Sequence, residues 1–284
     1  MSKRKLTRKQ QWRIQKVQEE RQKRALKKDQ SLTEQLNDFN LSDELQSGRI
    51  IANFGAEAEI ESAQGERLRC LIRANLPSLV VGDQIIWQSA KQGLGVISAV
   101  NPRSSELSRP DERGELKPVA ANIDQILIVF APAPNYSELL IDQYLAAAEL
   151  TGIEATIVLN KTDLIEDNQK DEFHQLVQRY QNLNYQIIQT SIHKQDSIEK
   201  LLNALAEKCS VFVGQSGVGK SSLVKQVIGD HSIIINTLSE KSGLGQHTTS
   251  TSRLYHLKPS GMLIDSPGVR EFRIWNMERN QLLQ

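Results

Sequence analysis

The first repeating pattern of apolar and polar residues has a period of two and lies between residues 47 and 118. Apolar side chains alternate with polar ones over residues 50–60 and again over residues 68–72, as they do in half-buried strands. Two more candidates, Asp83–Gln88 and Gly95–Val100, each follow a turn that contains glycine. Short strands at this spacing predict a small all-β barrel of the OB type, a fold that commonly binds single-stranded nucleic acid or RNA loops. A barrel that contacts only other proteins would show the same pattern.

Between residues 119 and 268 the apolar residues form nearly continuous runs of Ile, Val and Leu, separated by stretches with helical spacing. Ile198, Leu201 and Leu205, for example, recur on one face of a helix, and Gly152 marks the end of another. Apolar strands that alternate with helices predict a largely parallel sheet with helices on both faces. The candidate strands are Gln125–Ala131, Ala155–Leu159, Tyr185–Ile188, Val211–Val213, Leu254–Leu257 and Gly261–Ile264.

A glycine-rich loop follows the candidate strand at 211–213 and precedes a predicted helix. It fits the phosphate-binding pattern G-x-x-x-x-G-K-[ST], in which backbone N–H groups surround the β-phosphate and the helix N-terminus adds a favourable partial charge. In this pattern Lys220 reaches the β- and γ-phosphates and Ser221 binds Mg²⁺. A glycine-rich turn without a ligand is the structural alternative. The candidate nucleotide-binding residues are Gly214, Gln215, Ser216, Gly217, Val218, Gly219, Lys220, Ser221 and Ser222.

A tetrapeptide, N-K-T-D, directly follows the candidate strand at 155–159, at the end where open α/β sheets bind ligands. The carboxylate of Asp163 can accept both adjacent N–H donors of guanine, which adenine lacks, so it favours GTP over ATP. Alternatively, Asp163 caps the helix that follows. A Thr-Ser pair after the candidate strand at 185–188 fits a second, smaller base-contacting loop. The candidate base-binding residues are Asn160, Lys161, Thr162, Asp163, Thr190 and Ser191, of which the first two are expected to brace the loops around the base.

A third motif, D-S-P-G, follows the candidate strand at 261–264. Here Asp265 can hold Mg²⁺ through water, and the N–H of Gly268 can contact the γ-phosphate. One of two adjacent threonines, Thr248 and Thr249, is expected to complete the Mg²⁺ shell, and the sequence does not indicate which. Both lie in a polar, glycine-rich stretch with the character of a switch loop.

Charge is distributed unevenly along the chain. The formal net charge is only +1, from 35 Lys and Arg against 34 Asp and Glu. The first 30 residues carry twelve basic and three acidic side chains, a net charge of +9 that leaves −8 on the remainder. A basic arm on an acidic body is typical of a segment that binds a polyanion. We expect the arm to contact RNA, and a solubilising tail is the alternative.

Apolar runs and cysteines limit the class of protein further. No run approaches the roughly 18 residues that cross a bilayer, and no signal-peptide core follows the N-terminal charges. We therefore expect a cytoplasmic protein with no membrane partner. Cys70 and Cys209 are the only cysteines, too few for a disulfide framework or a zinc site made of cysteine alone.

The nucleotide motifs occur in a permuted order, since N-K-T-D and Thr-Ser precede the phosphate loop, the threonine pair and D-S-P-G. A sheet can close from a permuted chain because termini often lie close together at the surface. Together with the basic arm and the barrel, this order resembles the ribosome small-subunit-dependent GTPase A family (RsgA, also YjeQ). The resemblance rests on L-V-V-G-D at 79–83, N-K-T-D at 160–163, the phosphate loop at 214–222, G-Q-H-T-T at 245–249 and D-S-P-G-V-R-E-F at 265–272.

The resemblance implies an α/β fold: a circularly permuted P-loop GTPase with a Ras-like sheet, preceded by an OB-fold barrel. It also implies that the chain binds the small ribosomal subunit and its rRNA and assists late maturation of that subunit, and we expect it to act as a monomer. Hydrolysis of GTP would be stimulated by the subunit and would drive release. A GTP-gated RNA-binding switch with negligible turnover is the alternative, and a nucleic-acid-dependent ATPase is a second one.

At one position the chain has a different residue from many GTPases, and the difference affects the expected rate of GTP hydrolysis. Val269 stands where they carry the glutamine that orients the attacking water, so we expect slow intrinsic hydrolysis. His247, beside the switch threonines, is our candidate for positioning that water, with Lys220 as the other candidate catalytic residue. An ordinary exposed loop histidine is the alternative.

We divide the chain into a basic arm (1–46), an OB barrel that binds RNA or the ribosome (47–118), a permuted GTPase domain (119–275) and a short tail (276–284). The arm is expected to be disordered or helical only when bound. Members of the resembled family continue into a helical domain with a Cys/His zinc site, but no cysteine follows Cys209. We therefore expect either a truncated product or a variant without zinc.

Overall fold

The computed structural model of the chain describes residues 41–90, 94–111, 113–229 and 252–266, and its first five strands close into a barrel. Their order is β1-β2-β3-β5-β4, with β4 paired back to β1. Alternate residues face inwards, so that Ile50, Ile60, Ile85, Trp87 and Ile97 form its core. The strands are β1 (Leu41–Asn53), β2 (Glu57–Ser62), β3 (Arg67–Ile72), β4 (Gln84–Ala90) and β5 (Gly95–Val100).

The alternation over residues 50–60, interpreted from the sequence as one strand, is a hairpin of β1 and β2. The chain turns at Gly55, whose φ is +92° and whose N–H donates to Asn53 Oδ1 over 2.7 Å. Apolar residues occupy even-numbered positions both before and after the turn, so the alternation in the sequence does not reveal it. β1 also begins at Leu41, inside the segment predicted as the arm.

The second half of the described chain alternates strands and helices, as predicted. Its strand order is β10-β9-β8-β11-β13-β12, and every pair is parallel except β12 with β13. The strands are β8 (Gln125–Phe130), β9 (Glu154–Leu159), β10 (Gln186–Gln189), β11 (Cys209–Val213), β12 (Arg253–His256) and β13 (Met262–Asp265). The helices are α1 (Glu138–Thr151), α2 (Lys170–Asn182), α3 (Gln195–Leu205) and α4 (Lys220–Ile228).

Helices cover both faces of this sheet. Alternate residues of β8 belong to two different apolar clusters: Ile126 and Ile128 pack with residues of α1 and α2, whereas Leu127 and Val129 pack with residues of α3 and α4. This division explains why β8 is apolar at every position after Gln125, since both of its faces are buried. No helix within the described ranges is long and apolar enough to cross a membrane.

A hairpin and a buried ion pair join the barrel to the α/β sheet. The hairpin, β6 (Glu106–Pro110) with β7 (Leu116–Ala121), was not predicted, and β7 crosses the proposed boundary at residue 118. Asp83 is fully buried and accepts from Arg103 Nε over 2.7 Å and Nη2 over 2.8 Å. This hydrogen bonding raises the pKa of Arg103. Gly82, with φ +93°, lies where a Cβ would be 2.0 Å from the carbonyl oxygen of Ala121.

The barrel and the α/β sheet are also continuous through their strands. β1 pairs antiparallel with β12, with Ala52 opposite Arg253. As a result a single eleven-stranded sheet runs from β10 to β4, and β12 is the strand through which it passes from one half of the molecule to the other.

Candidate nucleotide-binding site

Five adjacent parallel strands end at the same edge of the sheet, and four of them carry the predicted nucleotide motifs. The phosphate loop follows β11, N-K-T-D follows β9, Thr-Ser follows β10 and Asp265 ends β13. This edge is where open α/β sheets bind their ligands, outside the carboxyl ends of the strands. The fold therefore brings together motifs that are up to about 100 residues apart in the sequence.

The backbone of the phosphate loop requires glycine at particular positions. Gly214, Gly217 and Gly219 have φ values of 137°, 84° and 96°, which side chains of L-residues rarely allow. A Cβ on Gly214 would lie 2.1 Å from the carbonyl oxygen of Val129, and one on Gly219 would lie 2.4 Å from Asn160 Nδ2. The loop therefore has the shape of a backbone cradle into which no side chain at these positions fits.

Lys220 lies against this loop at the start of α4. Its side chain is largely buried, and Nζ donates to the carbonyl oxygens of Gly214 and Gln215 over 2.7 Å each. Ser221 and Ser222 follow in the first turn of α4 and are exposed, whereas Val218 is fully buried beneath the loop. The cationic side chain and the helix N-terminus thus lie on the same loop, an arrangement suited to anionic phosphate.

Asn160 connects the phosphate loop to the Thr-Ser loop. It is buried, its Nδ2 donates to the carbonyl oxygen of Val218 over 2.9 Å, and its Oδ1 accepts from Thr190 Oγ1 over 3.0 Å. Thr162 adds a second link, since its N–H and hydroxyl both donate to the carbonyl oxygen of Thr190. Three loops from three strands are therefore held in one arrangement.

Lys161 clamps the phosphate loop from the other side. Its backbone is left-handed, with φ +58°, and its Nζ donates to the carbonyl oxygens of Gly217 over 2.7 Å and Ala133 over 2.9 Å. Pro134 also approaches Gly217. Sequence reasoning missed Ala133 and Pro134, although their position directly after the apolar strand β8 was an available signal.

Asp163 projects from this framework with an exposed side chain. A hydrogen bond from Ser191 lowers the pKa of its carboxyl group, so that Asp163 is ionised at neutral pH. The alternative interpretation, a helix cap, is wrong for the described helices, because Lys161, Glu166 and Gln169 occupy the N-cap positions that follow β9. The carboxylate is thus held as an acceptor without a capping role.

The D-S-P-G motif is described only in part. Asp265 is half-buried at the end of β13, which lies parallel to β11, with Val211 opposite Ile264. Ser266 is buried, and its hydroxyl oxygen lies 2.5 Å from that of Ser252. Four predicted site residues, His247, Thr248, Thr249 and Gly268, lie outside the described residues.

Comparison with known proteins identifies the family of this chain. Residues 100–275 match the model of the RsgA GTPase, so the match covers the whole described α/β half. The chain belongs to the RsgA GTPase family. Two relatives named small ribosomal subunit biogenesis GTPase RsgA are each 50% identical to it. The Pseudomonas fluorescens protein aligns over 98% of this chain and 82% of its own length, and the Alcanivorax borkumensis protein over 100% and 82%.

Solved structures agree with the RsgA assignment. YjeQ from Thermotoga maritima has a TM-score of 0.65 and 30% identity, covering 81% of this chain and 77% of its own. YloQ, described as a circularly permuted GTPase, has a TM-score of 0.66 and 26% identity, covering 84% and 77%. The predicted fold class, a permuted P-loop GTPase preceded by an OB-like barrel, is confirmed. This RsgA family member is accordingly an enzyme that hydrolyses GTP, and GTPases of this kind generally use Mg²⁺.

Proposed function

We propose that this GTPase binds the small ribosomal subunit and assists its late maturation, and that the subunit stimulates the hydrolysis that drives release. The observation that carries the proposal is the 50% identity to proteins named for small ribosomal subunit biogenesis, which extends over nearly the full chain. Barrel and GTPase halves are both included, so the proposal concerns their combined action.

In this proposal the base is recognised by Asp163, whose ionised carboxylate accepts the two adjacent N–H donors of guanine. Asn160, Lys161 and Thr162 hold the surrounding loops, as do Thr190 and Ser191, through the hydrogen bonds already described. Loops fixed before the nucleotide arrives lose little conformational freedom on binding, which favours affinity.

The phosphates are bound by the backbone of residues 214–219 and by Lys220, Ser221 and Ser222. The loop fits this group, because the left-handed conformations of Gly214, Gly217 and Gly219 give the backbone a turn in which N–H groups can surround a phosphate. To reach a phosphate, Lys220 Nζ would exchange the two carbonyl oxygens that it now contacts for phosphate oxygens. The same amine then neutralises charge on the phosphoryl group that is transferred.

Mg²⁺ would be held by Ser221, by Asp265 through water, and by Thr248 or Thr249. A hydroxyl and a carboxylate are the oxygen ligands that Mg²⁺ prefers. Bound Mg²⁺ would supply positive charge that stabilises the negative charge developing on the phosphates. Within this assignment Gly268 contacts the γ-phosphate, and His247 positions the attacking water in place of the glutamine that Val269 replaces.

The basic arm and the barrel are our proposed contacts with rRNA. The net charge of +9 on residues 1–30 favours phosphate contacts. In the barrel, Phe54 at the β1–β2 turn is 44% exposed, which suits stacking on an unpaired base. We further propose that the protein is a cytoplasmic monomer with the four-part division given above.

The experiment that tests this function is GTP hydrolysis measured with and without purified small subunits. We expect a slow intrinsic rate that the subunit raises, and an unchanged rate would contradict the proposal. If turnover stays negligible while a non-hydrolysable GTP analogue still promotes binding, the GTP-gated switch is correct instead, an outcome that Val269 would favour.

Co-sedimentation with small subunits tests the RNA contacts separately. The GTP-analogue complex of the full chain should sediment with the subunit, and a chain without residues 1–30 should do so more weakly. The logarithm of the binding constant falls linearly with the logarithm of the salt concentration, and the slope reports the number of neutralised phosphates. This slope should be less steep for the shortened chain. Equal slopes would exclude the arm from the contact.

A further inference from the structure

We infer that Arg253 is a positioning residue for Asp265 and that it connects the barrel to the proposed magnesium site. The inference rests on the proposed role of Asp265. It goes beyond that role, because it assigns the barrel a part in holding a residue of the nucleotide site.

The backbone places Arg253 directly between the two halves of the molecule. In the pairing of β12 with β13, Arg253 stands opposite Asp265. In the pairing of β1 with β12, the same residue stands opposite Ala52 of the barrel. One residue of β12 is thus the cross-strand neighbour of both the proposed metal ligand and the barrel wall.

The side chain of Arg253 adds a second connection to the barrel. Its Nη2 lies 2.7 Å from Glu59 Oε2 on β2, and the two side chains are only 19% and 15% exposed. Shielding from solvent makes such a charged hydrogen bond stronger than an ion pair on an open surface. Glu59 therefore fixes the position of Arg253, and with it the position of β12 relative to β13.

Two further contacts lie along the same hairpin of β12 and β13. His256 Nε2 is 2.6 Å from Glu61 Oε2, two residues along β2 from Glu59, at the end of β12 farther from Asp265. At the nearer end, the hydroxyls of Ser252 and Ser266 are in contact. Of these two ion pairs with β2, the one made by Arg253 is nearer to Asp265 in the register of the hairpin.

A displacement of β2 would consequently be transmitted to Asp265. Moving Glu59 shifts Arg253, and the ladder hydrogen bonds between β12 and β13 carry that shift to the opposite residue. Coupling of this kind is reciprocal, so Mg²⁺ and nucleotide bound at Asp265 would restrain the barrel to the same extent.

The test is a Mg²⁺ titration of the complex with a fluorescent, non-hydrolysable GTP analogue, followed by binding and not by turnover. We expect Glu59→Arg to raise the Mg²⁺ concentration needed for half the signal by about tenfold, the lower end of what losing support for a metal ligand costs. Arg253→Lys, which keeps a positive charge between Glu59 and Asp265, should retain most of the wild-type response. Glu59→Gln, which keeps the volume of the side chain, should show a smaller shift in the same direction.

The matched control is Glu57→Arg. Glu57 lies on the same strand, and its partner Arg69, 3.4 Å away, belongs to the barrel, so this reversal should leave the Mg²⁺ response unchanged. Equal responses of the Glu59→Arg and Glu57→Arg variants would overturn the inference, as would a wild-type response from Glu59→Arg. If Asp265→Asn leaves the wild-type response intact, the proposed magnesium role of Asp265 fails first, and the two failures are thereby distinguished.

Discussion

Substitution of Asp163 by asparagine tests the base-recognition geometry most directly. Asparagine retains one acceptor oxygen but places an NH₂ group where the second guanine donor arrives, so one hydrogen bond is lost and the other loses its charge. A hydrogen bond to a charged group contributes about 1.5–3 kcal/mol. Because the side chain of Asp163 is exposed before the base binds, the lower figure applies to the hydrogen bond that is lost. The guanine donor left facing the asparagine NH₂ group without a partner costs a similar amount, so the total is about 3 kcal/mol.

A loss of this size corresponds to roughly 150-fold weaker binding of GDP. Xanthine carries a carbonyl oxygen in place of the exocyclic amine of guanine, so the asparagine NH₂ group gains a partner. Equilibrium titrations with fluorescent GDP and XDP should therefore show that Asp163→Asn reverses the preference. Asp167→Asn is the control, because Asp167 lies on the same connection with a side chain that is 95% exposed, and it should bind GDP like the wild type. An unchanged preference for GDP in Asp163→Asn would refute the assignment.

Three other substitutions test the framework around the site. Gly219→Ala forces a left-handed backbone on alanine and a Cβ within 2.4 Å of Asn160 Nδ2, and it should weaken nucleotide binding at least tenfold in the same titration, given a strain of roughly 1–3 kcal/mol. Ser191→Ala removes the main cause of the lowered pKa of Asp163, so GDP affinity should fall away at a higher pH when the solution is acidified, as a pH series will show. Asp83→Asn breaks the ion pair between a fully buried carboxylate and Arg103, whose side chain is 19% exposed. It should lower the free energy of unfolding by about 3 kcal/mol in urea titrations, and a change near zero would contradict the contribution of this pair to stability.

Signals that act over a few residues made most of the α/β half predictable. The phosphate loop and N-K-T-D each follow the end of a strand. Each has residue types in an order that is typical of nucleotide binding. The apolar runs located all six strands of the α/β sheet to within about two residues of their ends. Gly152 was predicted to end a helix and does so in a left-handed conformation, since glycine tolerates it at no steric cost.

Some features were not predicted because they depend on contacts between residues that are distant in the sequence. Another was not predicted because the apolar positions keep the same alternation on both sides of a turn. The turn at Gly55 preserved the alternation of its neighbours, so nothing local distinguished it from a continuing strand. The pairing of Arg253 with Glu59 joins residues almost 200 positions apart, and no periodicity reports such a contact. The bracing role of Lys161 was predicted, but not its partners, because Lys161 Nζ donates to the backbone carbonyl oxygens of Gly217 and Ala133. Every residue has such an oxygen, so the residue type of Ala133 does not indicate the contact.

Because β12 pairs with both the barrel and the α/β sheet, its position has a consequence for folding during synthesis and for fragments of the chain. Without the barrel, β12 would be an edge strand whose free N–H and C=O groups could pair with another copy and promote aggregation. The barrel precedes β12 by about 150 residues, so during translation it can fold before β12 leaves the ribosome. The permuted order thus places β12 and β13 late among the described strands, after the barrel that covers β12. A fragment that begins after the barrel would lose that protection.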